Sequence, residues 1–299
     1  MDYGIKLDAL PAERVRDLAP LIDQSGLDEL WVVEDLGLAG GIAQAATLLA
    51  DTSRVRVGIG ITPAVARNPA YLAMEIAALS RMHPGRFMPG IGHGMPNWLE
   101  QVGARPTSLL TALEEVATAV KQLLSGQTVS LNGRHVHLDQ VTLTHPPLSP
   151  PPISLGVRGP KGVALSSRVA DGIILAEGSG PEYVRQVRNE IGPDNRLTVF
   201  VWLCILPDRD AALRQLRPTI EKALNSDFMK FQLGVSAHAP ADDPAVLALA
   251  VAGDLASCAE QIKHFQEAGV DSLVFAPLLG EEENQLNAIR DKLLPSSPR

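Results

Sequence analysis

The sequence predicts a (β/α)8 barrel with insertions, and three observations carry that prediction. Short β-branched runs alternate with longer amphipathic stretches eight times over, as βα units around a parallel sheet do. The chain has 299 residues, which suits the roughly 250 residues of such a barrel plus insertions. A weak internal repeat also recurs: "SGLDELWVV" (25–33), "RVADGIILA" (168–176) and "EAGVDSLVF" (267–275) each pass from a helix end through Asp into an apolar strand. Gly26 and Gly269 sit where a helix commonly stops in a left-handed conformation.

The strands expected from these runs are 3–7, 29–33, 55–61, 86–91, 153–157, 172–176, 197–205 and 272–276. Helical periodicity falls between them at 11–24, 40–51, 69–82, 107–125, 160–169, 181–191, 208–224 and 255–268, with a last helix at 280–293. Asn68 reads as the cap of the third helix and Pro69 as its first turn. Residues 127–138 alternate around Asn132-Gly133 and predict a β-hairpin hanging between the fourth helix and the fifth strand. The Pro-rich "HPPLSPPP" (145–152) then leads stiffly into that strand. Residues 226–244, with "SAHAPADDP", hold no clear strand and are expected to form a lid over the barrel mouth. The whole chain, 1–299, is thus expected to be one barrel domain.

Composition narrows the function. A formal net charge of -8 argues against a nucleic-acid partner, which demands a surplus of Lys and Arg. No run of eighteen or more uncharged apolar residues exists to span a membrane, and the N-terminus lacks the pattern of a signal peptide. The two cysteines, Cys204 and Cys258, lie in apolar or helical contexts, so a reducing cytoplasm is the expected home. "HVH" at 135–137 puts two imidazoles on one hairpin face with no third ligand nearby, which reads as a solvated face rather than a metal site.

"RFMPGIGHGMPNW" (86–98) gathers Gly90, Gly92 and Gly94 after an apolar run. A dinucleotide fingerprint needs G-x-G-x-x-G opening a helix. Counting from Gly90 the third glycine position is Met95, from Gly92 it is Asn97, and Pro96 reads as loop, so that reading fails. Glycines at strand ends instead allow close approach to the backbone. With Gly58 and Gly60 next door, they suggest a wall stripped for a flat ring. "LGVRGPKG" (155–162) is the better phosphate candidate. A strand ends at Val157 and a helix begins near Lys161, so free N–H groups and the positive end of the helix dipole face the mouth. Arg158 and Lys161 add positive charge. An ordinary helix start with solvated basic neighbours explains the same residues, and the residues alone leave both readings open.

The segments 55–94, 151–178 and 252–277 together resemble the luciferase-like superfamily, and more closely its branch of coenzyme F420-dependent oxidoreductases. The resemblance runs over nearly the whole chain in order. It implies a bound F420, or FMN in the alternative, a homodimer, and a cofactor phosphate on the Gly159-Pro160-Lys161 helix start. It also implies a non-prolyl cis peptide backing the ring at Gly60-Ile61, followed by Thr62. Relatives that oxidise a sugar phosphate or an alcohol carry Asp-His after the second strand and Glu after the fourth-strand glycines. This chain has Glu34-Asp35 and Met95 there, so a base for alcohol oxidation is missing and reduction is the expected direction.

The expected activity is therefore hydride transfer from reduced F420 to an activated C=C or C=N bond of a small molecule or peptide. His93, between Gly92 and Gly94, is the candidate proton donor, and fixing the loop or touching the ring through its backbone is its alternative role. Glu34 and Asp35 are expected to hydrogen-bond the pyrimidine edge or ring hydroxyl, and Glu177 to reach cofactor or substrate. Solvated charge or helix capping is the alternative for each. An FMN-dependent monooxygenase and a barrel that binds without turnover are the rival functions.

Overall fold

The computed structural model describes residues 1–226, 229 and 240–290. The chain opens with β1 (Asp2–Leu7), α1 (Ala12–Gln24), β2 (Glu29–Val32), α2 (Gly41–Asp51), β3 (Arg56–Pro63), α3 (Pro69–Met82) and β4 (Phe87–Gly92). Next come the short α4 (Pro96–Gln101), α5 (Leu109–Leu124), the hairpin strands β5 (Val129–Asn132) and β6 (His137–Val141), β7 (Ser154–Gly156), α6 (Gly159–Val169), β8 (Gly172–Leu175) and α7 (Pro181–Ile191). The last third holds β9 (Arg196–Ile205), α8 (Arg209–Leu224), α9 (Asp243–Leu249), β10 (Ala250–Gly253), α10 (Leu255–Glu267), β11 (Ser272–Pro277) and α11 (Glu282–Ala288).

Eight of these strands close a parallel barrel. Their order is β1-β2-β3-β4-β7-β8-β9-β11, with β11 back on β1. All eight lie on the runs the sequence predicts. The fold is a (β/α)8 barrel whose outer core, between strands and helices, is built from the Val, Ile and Leu of those runs and of the inward helix faces.

The internal repeat has a physical cause. The carboxylates of Asp28, Asp171 and Asp271 accept the backbone N–H of Tyr3, Ile153 and Leu197, at 2.9, 2.9 and 2.8 Å. The carbonyls of the same three residues accept from Arg56, Arg196 and Asp2. Each Asp therefore ties together the starts of the barrel strands on either side of its own at the lower rim of the barrel.

Three elements depart from the sequence reading. β10 pairs with the upper half of β9, Ala250 against Trp202 through Gly253 against Ile205; its "AVAG" is too short and too poor in β-branched residues to read as a strand. α4 opens at Pro96, where no helix was expected, because Pro fits a first helical turn. The segment expected as a lid contains the start of α9, capped by Asp242 on the N–H of Ala245. Residues 227–228 and 230–239 of that segment, and 291–293 of the last predicted helix, lie outside the described residues.

The hairpin forms between α5 and β7, but it turns at Arg134-His135 rather than at the expected Asn132-Gly133, and it is fastened to α5. The Glu115 carboxylate accepts the N–H groups of Arg134, His135 and Val136 at 2.7, 2.8 and 2.9 Å. A Cβ on Gly133 would stand 2.5 Å from the carboxyl carbon and push the carboxylate aside.

Candidate active site

Inside the barrel, polarity is layered. At the lower end Glu29, fully buried, accepts from Trp31 Nε1 (2.8 Å), Ser272 Oγ (2.6 Å), Arg56 (2.9 Å) and Arg196 (2.6 Å). Asp2 shares both arginines. Above this cluster Trp31 meets Phe200 edge-on, ring centroids 5.4 Å apart, with Ile174, Val274 and Met88 filling the layer. A cavity of about 350 Å3 lies beneath, between the strand starts and the Pro-rich segment. A second, of about 400 Å3, opens at the strand ends. Barrel chemistry collects at the C-terminal ends of the strands, and the second cavity is the candidate active site.

Its back wall comes from a bulge in β3. The register with β4 shifts between Ile59, opposite Pro89, and Thr62, opposite Ile91. The Gly60–Ile61 peptide inside this bulge is cis, at the position the resemblance implies. The extra residue turns the Ile61 side chain into the mouth, where it lines the cavity.

The glycines seat that side chain rather than a ligand. A Cβ on Gly92 would stand 2.8 Å from Ile61 Cγ1, and one on Gly156 would fall inside Ile61 Cγ2. Gly58 gives its space to the Trp31 indole, Gly60 to the Phe200 ring (2.5 Å) and Gly90 to the Ile59 carbonyl (2.5 Å) and Ile174. The expected wall stripped for a ring is thus corrected: the Ile61 side chain faces the cavity, Gly58, Gly90 and Gly92 stand behind it, and Gly60 borders the cavity beside it. Among the cluster only Gly94, with φ +71°, borders the opening, where it turns the chain toward α4.

Seven of the predicted site residues meet at the cavity: Asp35, Gly60, Ile61, His93, Val157, Arg158 and Glu177. Six do not line it. Thr62 and Gly92 are buried behind the wall. Glu34 is held by both terminal nitrogens of Arg67, at 2.9 and 2.5 Å, and this clamp commits the carboxylate that was expected to meet a ligand. Gly159, Pro160 and Lys161 form the first turn of α6 just beyond Arg158; the Arg158 side chain does not cap that turn, and Lys161 is exposed. Met95 lines the opening with a thioether.

The sequence reading missed Lys6. It sits in β1, only 7% exposed, and lines the cavity. Its ammonium pairs with Asp8 (2.7 Å) and with Glu177, and lies 5.5 Å from the Phe200 ring centroid. Burial pulls its pKa down, but the two carboxylates outweigh burial and hold it above the ordinary lysine value. A lysine inside the apolar run "YGIKL" was the available signal, since a charge in such a run demands a partner.

His93 and Asp35 have unspent capacity. Burial, with some help from Arg158, lowers the His93 pKa against an opposing contribution from the Leu109 backbone. The ring is therefore neutral near pH 7, and its buried Nδ1 has no partner among the described residues. Burial raises the Asp35 pKa; Lys6 and Arg158 oppose the shift while Asp8 and Glu177 reinforce it.

A parallel barrel with a bulged third strand and a polar, partly aliphatic pocket at its C-terminal mouth defines the class. The luciferase-like monooxygenase family model matches residues 4–272, and the chain belongs to that family. Among its relatives is a 5,10-methylenetetrahydromethanopterin reductase of Methanolobus tindarius, 22% identical over 95% of this chain and 97% of that protein. An F420-dependent glucose-6-phosphate dehydrogenase of Nakamurella multipartita is 30% identical, but over 60% of this chain and 56% of that enzyme. The solved coenzyme F420-dependent tetrahydromethanopterin reductase of Methanopyrus kandleri superposes with a TM-score of 0.86 at 18% identity, covering 98% of both chains.

Proposed function

We propose that this chain is a coenzyme F420-dependent oxidoreductase that works as a reductase, toward an activated C=C or C=N bond of a small molecule or peptide. The observation that carries the reading is the aliphatic wall raised by the β3 bulge, Ile61 seated on Gly92 and Gly156. The names of the relatives support the cofactor. A flat heterocycle fits the pocket on a second ground, because the buried, unpartnered His93 Nδ1 gains the hydrogen bond whose absence costs free energy. The first turn of α6, with Arg158 at its N-cap, suits a phosphate.

When bound, reduced F420 supplies hydride. Ile61 and Phe200 give the ring an apolar support and exclude water, His93 contributes a neutral nitrogen, and Arg158 sits at the rim toward the phosphate. Lys6, Asp35 and Glu177 form the polar side of the pocket, where an acceptor meets protein charge. Met95 stands at the opening where the resemblance implies an acid in alcohol-oxidising enzymes, and this favours reduction.

Two further parts of the reading concern surroundings. α3 exposes Tyr71 (65%), Met74 (53%) and Met82 (62%) along one face; we assign this stripe to a homodimer contact. The two thiols are free and buried, which suits a cytoplasmic protein.

The test is anaerobic turnover. Reduced F420 incubated with the protein and a panel of activated alkenes and imines is expected to be oxidised with reduction of at least one acceptor. Oxygen-dependent turnover with reduced FMN, and none with F420, overturns the reading in favour of a monooxygenase. Tight F420 binding without oxidation by any acceptor favours a binding protein.

A further inference from the structure

Reducing a C=C or C=N bond takes a proton as well as a hydride, and the pocket holds few groups able to give one. Glu34 is clamped by Arg67 away from the cavity. Glu177 and Asp8 both hold Lys6. Lys6 is itself fixed between two carboxylates and keeps its proton. The His93 ring already hydrogen-bonds the Leu109 backbone and burial disfavours a second proton on it, so its unpartnered Nδ1 is placed to accept a hydrogen bond rather than to give a proton. Asp35 differs from all of these. It lines the cavity just beyond β2, and among the described residues no donor hydrogen-bonds its carboxylate.

We propose that Asp35 is the general acid of this site, giving its proton to the acceptor as hydride arrives, and that the Lys6–Glu177 ion pair is the positioning element beside it. The proposal rests on the hydride-transfer reading above. In the step, the acceptor's double bond opens and one of its atoms gains a hydride, with both electrons, from the reduced cofactor. The other atom gains the proton as the Asp35 O–H bond breaks. The Asp35 carboxylate then regains a proton from solvent, which balances the one that reduced F420 would release on giving up its hydride.

The surrounding charges set when Asp35 can act. It meets Lys6 and Asp8 from the β1 side, Arg158 from beyond β7 and Glu177 from beyond β8; His93, beyond β4, lines the same cavity. Burial and the two carboxylates favour the protonated acid, while the two cations oppose it. An acid works below its pKa, so the rate falls as pH rises through that value. Removing the Glu177 charge leaves Lys6 less compensated, so the falling limb moves to lower pH. Removing Lys6 moves it to higher pH.

Two measurements on the full chain test this. In protein carrying 13C-labelled aspartate carboxyls and no cofactor, one resonance is expected to titrate above the ordinary value of about 3.9. It disappears in Asp35→Asn and moves to lower pH in Glu177→Gln. With reduced F420, and cyclohex-2-enone and 1-pyrroline as probe acceptors, Asp35→Asn is expected to lose about 100-fold or more in turnover at unchanged F420 affinity. Lys6→Met and Glu177→Gln shift the pH profile in opposite directions. Full turnover by Asp35→Asn with cofactor bound overturns the acid assignment alone, as does the absence of any displaced aspartate resonance. A wild-type protein that binds no F420, or reduces neither probe, overturns the reductase reading and this proposal with it.

Discussion

Both ends of the barrel hold buried or half-buried charge, and they use it differently. At the lower end Glu29 and Asp2 are saturated by Arg56, Arg196, Ser272 and Trp31, and the Asp28, Asp171 and Asp271 carboxylates close the strand starts. At the upper end Lys6 and Glu177 pair, but Asp35 and His93 Nδ1 are left with capacity to spare. Saturated charge holds a structure together and is costly to disturb, whereas unsatisfied charge facing a cavity is available to a ligand. The difference separates stability from chemistry within one sheet.

The largest expected effect breaks the lower end. Glu29→Leu leaves Arg56 and Arg196 with Asp2 as their shared carboxylate and removes the acceptor of Trp31 and Ser272, and it is expected to cost about 3 kcal/mol, read by urea denaturation. F420 affinity of the folded fraction stays unchanged; a selective loss of binding would show that the two ends are not separable. Next, Gly156→Val forces Ile61 from its seat. We expect a loss of about 1–3 kcal/mol from overpacking together with a more than tenfold fall in F420 affinity, measured by fluorescence quenching. Unchanged affinity would mean that the Ile61 wall does not support the ring.

Glu34→Gln removes the Arg67 clamp behind the wall. It is expected to cost about 1–2 kcal/mol and to leave F420 affinity within twofold, and a tenfold loss would return Glu34 to the ligand. The smallest effect concerns Asp23, outside the barrel mouth. Burial works to raise its pKa, but the N–H groups of Val55, Ser53 and Arg54 outweigh that and hold it at about 2, below the ordinary 3.8. Because the folded value is the lower one, its stabilisation is present above pH 3.8 and is lost as pH falls toward 2. Acid titrations of Asp23→Asn should be flatter across that window than those of wild type.

The barrel was legible because its eight strands are β-branched runs with helix signals between them, and periodicity reports burial directly. β10 was not, since Ala250-Val251-Ala252-Gly253 becomes a strand only by lying along the upper half of β9. The place of the candidate site was legible too: strand ends and glycine-rich turns pointed to the mouth, and Asp35, His93, Arg158 and Glu177 all line the cavity there. The meaning of the glycines was not. Gly60 is shaped by Phe200 and Gly92 by Ile61 and Gly156, partners that only the closed sheet brings near. Lys6 and the Glu34–Arg67 clamp escaped for the same reason, because a charge is spent or free according to neighbours distant in sequence.

The most direct test of the account is an equilibrium titration of the intact protein with oxidised F420 and, separately, with FMN, repeated on Gly156→Val and Glu29→Leu. The account predicts saturable F420 quenching in the nanomolar to micromolar range, weaker or no binding of FMN, loss of F420 binding in Gly156→Val, and its retention by folded Glu29→Leu. FMN binding tighter than F420, or F420 binding indifferent to the Ile61 seat, would contradict it.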